Sequence, residues 1–195
     1  MTEAQWDKKL GIHTIGRDES HADRYRYPYE PTPYAVLQRL AQSGLITRQS
    51  TLMDYGCGMG RVGLFLAQQT GCRAVGVEYD QRIFRRAEQN RLACGAKNVE
   101  FLCADARGCP VGDADCFYFF NPFSVEVLRP VMANILAEWY ENPRTMRLFF
   151  YYPNEDYRGW LEENPQLVFD QTIDCRDLFV GDPREVILVY ELKPY

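Results

Sequence analysis

Strands and helices alternate along most of this chain, and that rhythm limits the fold more than any other feature. Short apolar runs at Thr51–Tyr55, Arg73–Val77, Val99–Cys103, Asp115–Phe120 and Met146–Tyr152 read as strands. A helix at Arg61–Thr70 turns Val62, Phe65 and Leu66 inward and stops at Gly71, and Asp80 caps a second, carrying Ile83, Phe84 and Ala87, that closes at Gly95. A third carries Leu128, Val131, Met132, Ile135, Leu136 and Trp139, with Pro130 either kinking it or starting its main segment. A short polar helix follows at Glu155–Glu163. Upstream, Thr32 is expected to cap a helix with Pro33 in its first turn, Val36, Leu37 and Leu40 as its apolar stripe and Gly44 as its stop. Counted this way, five β–α alternations imply a parallel sheet with right-handed crossovers. The last two runs, near Leu167–Ile173 and Glu185–Leu192, have only a loop between them and should pair as a hairpin, making the final strand antiparallel. The expected fold is α/β: a doubly wound, seven-stranded sheet, mostly parallel, with helices on both faces. No repeat or linker divides it, so residues 32–195 form one domain. Residues 1–31 read as a polar, irregular N-terminal extension and a candidate lid.

Several classes fall away on composition. The formal charge of −5 gives no bulk attraction to nucleic acid, although a local basic face is compatible with it. Seven cysteines at 57, 72, 94, 103, 109, 116 and 175 form no C-x-x-C pair and lie mostly in apolar runs, which points to reduced thiols and a cytoplasmic location. His13 and His21 are the only histidines and lack the spacing of a zinc site, so no metal is expected. The N-terminus has no apolar signal region, and no run approaches the roughly 20 apolar residues of a membrane span.

The segment Leu52-Met-Asp-Tyr-Gly-Cys-Gly-Met-Gly-Arg61 places glycines at alternate positions between a strand and a helix, where a ligand can approach the main chain. Two cofactor classes use such a loop. Gly58-x-Gly60-x-x-Gly63 satisfies the dinucleotide fingerprint, and Asp54-x-Gly56-x-Gly58-x-Gly60 satisfies an acidic glycine loop. A pyrophosphate wants donors and positive potential, whereas a sulfonium with an ammonium group is cationic, so Asp54 favours the second. Glu78, 20 residues after Gly58, ends strand two, where it can accept ribose hydroxyls, with Tyr79 beside it able to pack on adenine. Asp105 follows strand three, where it can accept from the adenine amino group.

On these motifs residues 32–195 resemble the Rossmann-like class I S-adenosylmethionine-dependent methyltransferases. The resemblance implies that Asp54, Gly56, Gly58 and Gly60 line the methionine part, that Glu78 holds the ribose and that Asp105 holds the adenine. Cys57 sits at the centre of the loop, either beside the cofactor or as a small side chain fitted against the helix. The segment Phe117-Tyr-Phe-Phe-Asn-Pro-Phe123 ends strand four, which in this family faces the transferable methyl. It resembles, with one proline instead of two, the N-P-P-F/Y signature of enzymes that methylate planar amino groups. More loosely, it resembles the asparagine loop of the disruptor-of-silencing histone-lysine methyltransferases. Both imply a nitrogen acceptor, with Asn121 and the Pro122 carbonyl orienting it, Phe123 stacking on it and a dry wall of Tyr118, Phe119, Phe120 and Phe123. The competing reading makes Phe119 core and Asn121-Pro122 a turn.

Tyr25, Tyr27, Tyr29 and Tyr34 with Arg24 and Arg26 form either a stacking platform over the site or an arm packed on the fold. Tyr152-Pro-Asn154 is a substrate wall or a strand exit in which Asn154 caps a helix, and Arg82, Arg85, Arg86 and Arg91 read as a solvated helix face. The expected activity is methyl transfer from S-adenosylmethionine to a nitrogen of a protein side chain or a nucleic-acid base, with no membrane partner. Two alternatives stay open: an NAD(P)-dependent oxidoreductase using the same glycines, and a non-catalytic cofactor-binding regulatory module.

Overall fold

Neighbouring residues of a strand face opposite sides of a sheet, and here both sides are apolar. In β1 (Thr51–Tyr55), Leu52 packs into one core while Met53 and Tyr55 pack into the other; in β4 (Cys116–Phe119), Cys116 and Tyr118 oppose Phe117 and Phe119. The structure, a computed structural model, describes residues 1–20 and 23–193; His21 and the last two residues of the expected 32–195 domain lie outside them. With β2 (Arg73–Glu78), β3 (Val99–Cys103), β5 (Met146–Tyr151), β6 (Val168–Asp174) and β7 (Val186–Leu192), the sheet runs β3-β2-β1-β4-β5-β7-β6. β1 to β5 pair in parallel, and β7 inserts antiparallel between β5 and β6. The expected hairpin and antiparallel last strand are both present.

Helices cover both faces. On one lie α1 (Glu3–Leu10), α2 (Tyr34–Gln42), α3 (Arg61–Thr70) and the Ala87 side of α4 (Gln81–Cys94); on the other lie α5 (Val125–Glu141) and α6 (Glu155–Glu162). Pro130 sits inside a continuous α5, whose N-cap position is Ser124. Among the described residues four β–α alternations form rather than five, since β3 and β4 are joined by a 3-10 turn at Ala106–Gly108. That connection carries two glycines, a proline and three aspartates, too many turn formers for a helix. Thr32 does not cap α2, because its hydroxyl is 3.1 Å from the Tyr118 hydroxyl instead.

Residues 1–31, expected to be irregular, begin with α1, closed by a Thr2/Gln5 capping box at one end and Gly11 at the other. Trp6, Leu10 and Ile12 are buried in the same core as α2 and α3, and Trp6 stacks on Tyr34 at 5.7 Å. Strand order reverses between β1 and β4, and the carboxyl ends of those strands open into the crevice where ligands of such sheets bind.

Candidate active site

The glycine loop leaves β1 in a tight turn: the Gly56 and Cys57 N–H groups both donate to the Val77 carbonyl, at 2.8 and 3.0 Å. Gly58, at φ 57°, has no room for a side chain, because a Cβ there would lie 2.2 Å from the Tyr29 ring. Tyr29, rather than open space, therefore faces the main chain at this point. On the other side Pro122 closes on Gly56, where a Cβ would come within 2.4 Å. Cys57 is buried against Gly76, so its smallness is what the packing needs, and burial pushes its thiol up, away from reactivity.

The acids at the strand tips differ sharply. Asp54 is 2% exposed and lines the cavity, and its Oδ2 has no hydrogen-bond partner. Burial, then the neighbouring Glu78 charge, pushes its carboxyl up to about 8. Glu78 accepts the Gly58 N–H on Oε2 at 3.0 Å and the Asp80 N–H on Oε1 at 2.8 Å, which leaves acceptor capacity on the carboxylate. Burial raises its pKa against those bonds. Asp105 behaves oppositely: hydrogen bonding to Arg107 draws its carboxyl down to about 2. It also caps the 3-10 turn through the Arg107 N–H.

At the end of β4, Asn121 adopts φ 41°, a left-handed conformation that asparagine tolerates. Its Nδ2 donates to the Tyr152 carbonyl at 2.7 Å and its Oδ1 accepts the Asn154 N–H at 3.2 Å, so the amide ties the exits of β4 and β5 together. One lone pair of Oδ1 remains. Phe123 lines the cavity too, 5% exposed, with its ring edge-on to Phe119 at 6.5 Å. Phe119 lies in the core, stacked on Phe150. The part-exposed Phe120 and the buried Tyr118 complete the aromatic lining at this end. Burial keeps the Tyr118 phenol protonated, a donor rather than a base. Asn154 caps α6 through the Tyr157 N–H.

The cavity these elements enclose holds about 490 Å³ and is roofed by residues 23 and 26–32. Sequence reasoning missed its anchor. Arg61, buried to 3%, donates to the Thr14 hydroxyl at 2.7 Å, to the Thr32 carbonyl at 3.0 Å and to Glu3, and lies 4.2 Å from the Tyr34 ring centre. Asp7, equally buried, accepts the Thr14 N–H and the Tyr34 hydroxyl, both at 2.6 Å. A signal existed: a cation at a helix N-terminus opposes the helix dipole, so Arg61 at the start of α3 demanded acidic partners from elsewhere.

Residues 52–144 match the family model described as "Methyltransferase domain". That stretch is similar to a methyltransferase domain. The chain is similar to part of a mouse tRNA (uracil-5-)-methyltransferase homolog A, 40% identical over 73 residues that cover 37% of this chain and 11% of that protein. It is also similar to a protein-lysine N-methyltransferase of Saccharolobus islandicus, 34% identical over 64 residues, 32% of this chain and 40% of that one. The chain thus spans less than half the length of these curated relatives. The methyltransferase fold is shared with the crystal structure of an RNA methyltransferase from Salinibacter ruber in complex with S-adenosyl-L-homocysteine. That pair has a TM-score of 0.58 and 22% identity, covering 85% of this chain and 95% of that one.

Proposed function

We propose that the domain binds S-adenosylmethionine in this cavity and transfers its methyl group to a nitrogen of a protein side chain. The observation that carries the cofactor reading is the Asp54 Oδ2, a buried carboxylate oxygen without a partner at the cavity wall. A buried charge is expensive unless paired, and a cationic ligand supplies the pair; a pyrophosphate would make the cost worse, which disfavours the nicotinamide alternative. Bound there, the cofactor supplies an electrophilic methyl on a positively charged sulfur.

The chain's own residues then divide the work. Asp54 compensates positive charge at the methionine end, while Glu78 accepts ribose hydroxyls with its remaining lone pairs. Asn121 holds the β4 exit rigid and offers one acceptor position, and the Pro122 carbonyl offers another, so together they orient an N–H-bearing acceptor. Phe120 and the protonated Tyr118 exclude water from it. Orientation of this kind is worth up to roughly 7–11 kcal/mol in model systems. Asp18, Asp23 and Glu30 at the cavity rim, with the formal charge of −5, favour an amine, which arrives as its cation and gives up a proton to solvent before it attacks, over a polyphosphate chain. All seven cysteines are free, which fits a reducing compartment such as the cytoplasm.

Labelled-methyl transfer into a cell lysate, separated into protein, RNA and small-molecule fractions, tests the reading. Base-stable label in protein is the expected result, reduced at least a hundredfold by Asn121→Ala while S-adenosylhomocysteine affinity stays within about threefold. Label in RNA would reassign the acceptor, and cofactor binding without any transfer would make the chain a sensor.

A further inference from the structure

Arg26 lies across one end of the cavity. Its guanidinium carbon is 3.7 Å from the centre of the Tyr79 ring, and its Nη2 is 3.4 Å from Asp105 Oδ2. Arg107 fills the rest of that carboxylate, with its N–H and Nε on Oδ1, both at 3.0 Å, and its Nη2 on Oδ2 at 2.7 Å. A carboxylate offers about four lone-pair positions, so Asp105 has none left for an adenine amino group while Arg26 stays. Glu78 keeps acceptor capacity, which confines the obstruction to the base end. The residues flanking Arg26 are laced to the acceptor loop at the same time. The Tyr27 N–H reaches the Pro122 carbonyl at 3.4 Å, the Ser124 N–H donates to the Tyr25 carbonyl at 2.9 Å, and Arg26 bridges Phe123.

We infer that Arg26 stands in for the cofactor's adenine, and that its withdrawal both admits the nucleoside and frees the Pro122 carbonyl for the methyl acceptor. The inference rests on the cavity being the S-adenosylmethionine site. A guanidinium is a planar cation that stacks on an aromatic face and donates to a carboxylate, so it imitates both contacts an adenine amino group would make between Tyr79 and Asp105. Its hold there is slight. The bond to Asp105 is long, whereas Asp23, which accepts the Tyr25 and Arg26 N–H groups at 2.7 and 2.8 Å and pairs with Arg26 Nη1 at 2.9 Å, belongs to the same arm and leaves with it. Binding is therefore ordered, cofactor before acceptor.

The test is calorimetric titration of wild type and Arg26→Ala with S-adenosylhomocysteine, adenosine and methionine, alongside trypsin cleavage after Arg24 and Arg26. Arg26→Ala should bind S-adenosylhomocysteine and adenosine about 5- to 20-fold more tightly and leave methionine unchanged. In wild type, S-adenosylhomocysteine should speed cleavage of the arm. Equal or weaker binding by the variant, or protection of the arm by ligand, overturns the inference, since Arg26 would then be a wall or a clamp on the bound nucleoside. If neither protein binds S-adenosylhomocysteine at millimolar concentration, it is the cofactor reading that fails. Arg26→Lys, which keeps the charge but not the plane, should fall between the two and controls for misfolding.

Discussion

The two halves of the N-terminal stretch are held by opposite means. Residues 2–14 are bound by buried charge: Asp7 and Arg61, at 5% and 3% exposure, share Thr14 and Tyr34 between them. Residues 23–27 are bound by part-exposed pairs such as Arg26 with Asp23 and Asp105, and by two backbone contacts at 2.9 and 3.4 Å to the β4 exit, whereas Tyr29 beyond them is fixed through its hydroxyl on the Thr14 carbonyl at 2.6 Å. Exposed pairs contribute little to stability, while breaking a buried one leaves an uncompensated charge. One half is thus part of the folding unit, and the other is free to move at small cost.

The contrast is broken most severely by Arg61→Ala, which strands Asp7 and should cost about 3–5 kcal/mol in urea denaturation. If the loss is below about 1 kcal/mol, the first half is not the anchor described. Asp54 sharpens the rule, being as buried as Asp7 but unpaired. Its folded pKa of about 8 stands above the ordinary 3.8, so the unfolded chain loses this proton first. Its contribution to stability is therefore present at low pH and lost as pH rises from 4 through 8. Asp54→Asn should remove that slope and stabilise the ligand-free protein at pH 8 by about 1–2 kcal/mol, while weakening cofactor binding. In wild type, affinity for the cationic cofactor should rise with pH toward 8, with proton release visible by calorimetry in buffers of different ionisation enthalpy. A smaller effect is expected from native-state proteolysis: cleavage after Arg24 or Arg26 should precede cleavage after Lys8 or Lys9, because only the latter requires global opening. Smallest of all, Arg26→Ala should leave Tm within about 2 °C of wild type.

Much of this was legible locally. The strand at Thr51–Tyr55, the helix at Arg61–Thr70 and the αL glycines 71 and 95 that end α3 and α4 are written in period and turn chemistry, and they bring Asp54, Glu78 and Asp105 to one edge of the sheet. What escaped depends on partners distant in the chain. Trp6, Leu10 and Ile12 are too sparse in a polar stretch to announce a helix until Tyr34 and Phe65 cover them. Likewise, the edge-on setting of Phe123 depends on Phe119, and the filled state of Asp105 on Arg26 and Arg107.

Asn121-Pro122 and Tyr152-Pro153 repeat one device at the ends of adjacent strands, a left-handed residue before a proline, and the Asn121 amide bolts the two together. For anyone redirecting this protein toward another acceptor, the exits of β4 and β5 are therefore a single cassette. Swapping only the first would leave the Tyr152 carbonyl and the Asn154 N–H without their mates, so segments 120–124 and 151–155 have to be exchanged as a matched set.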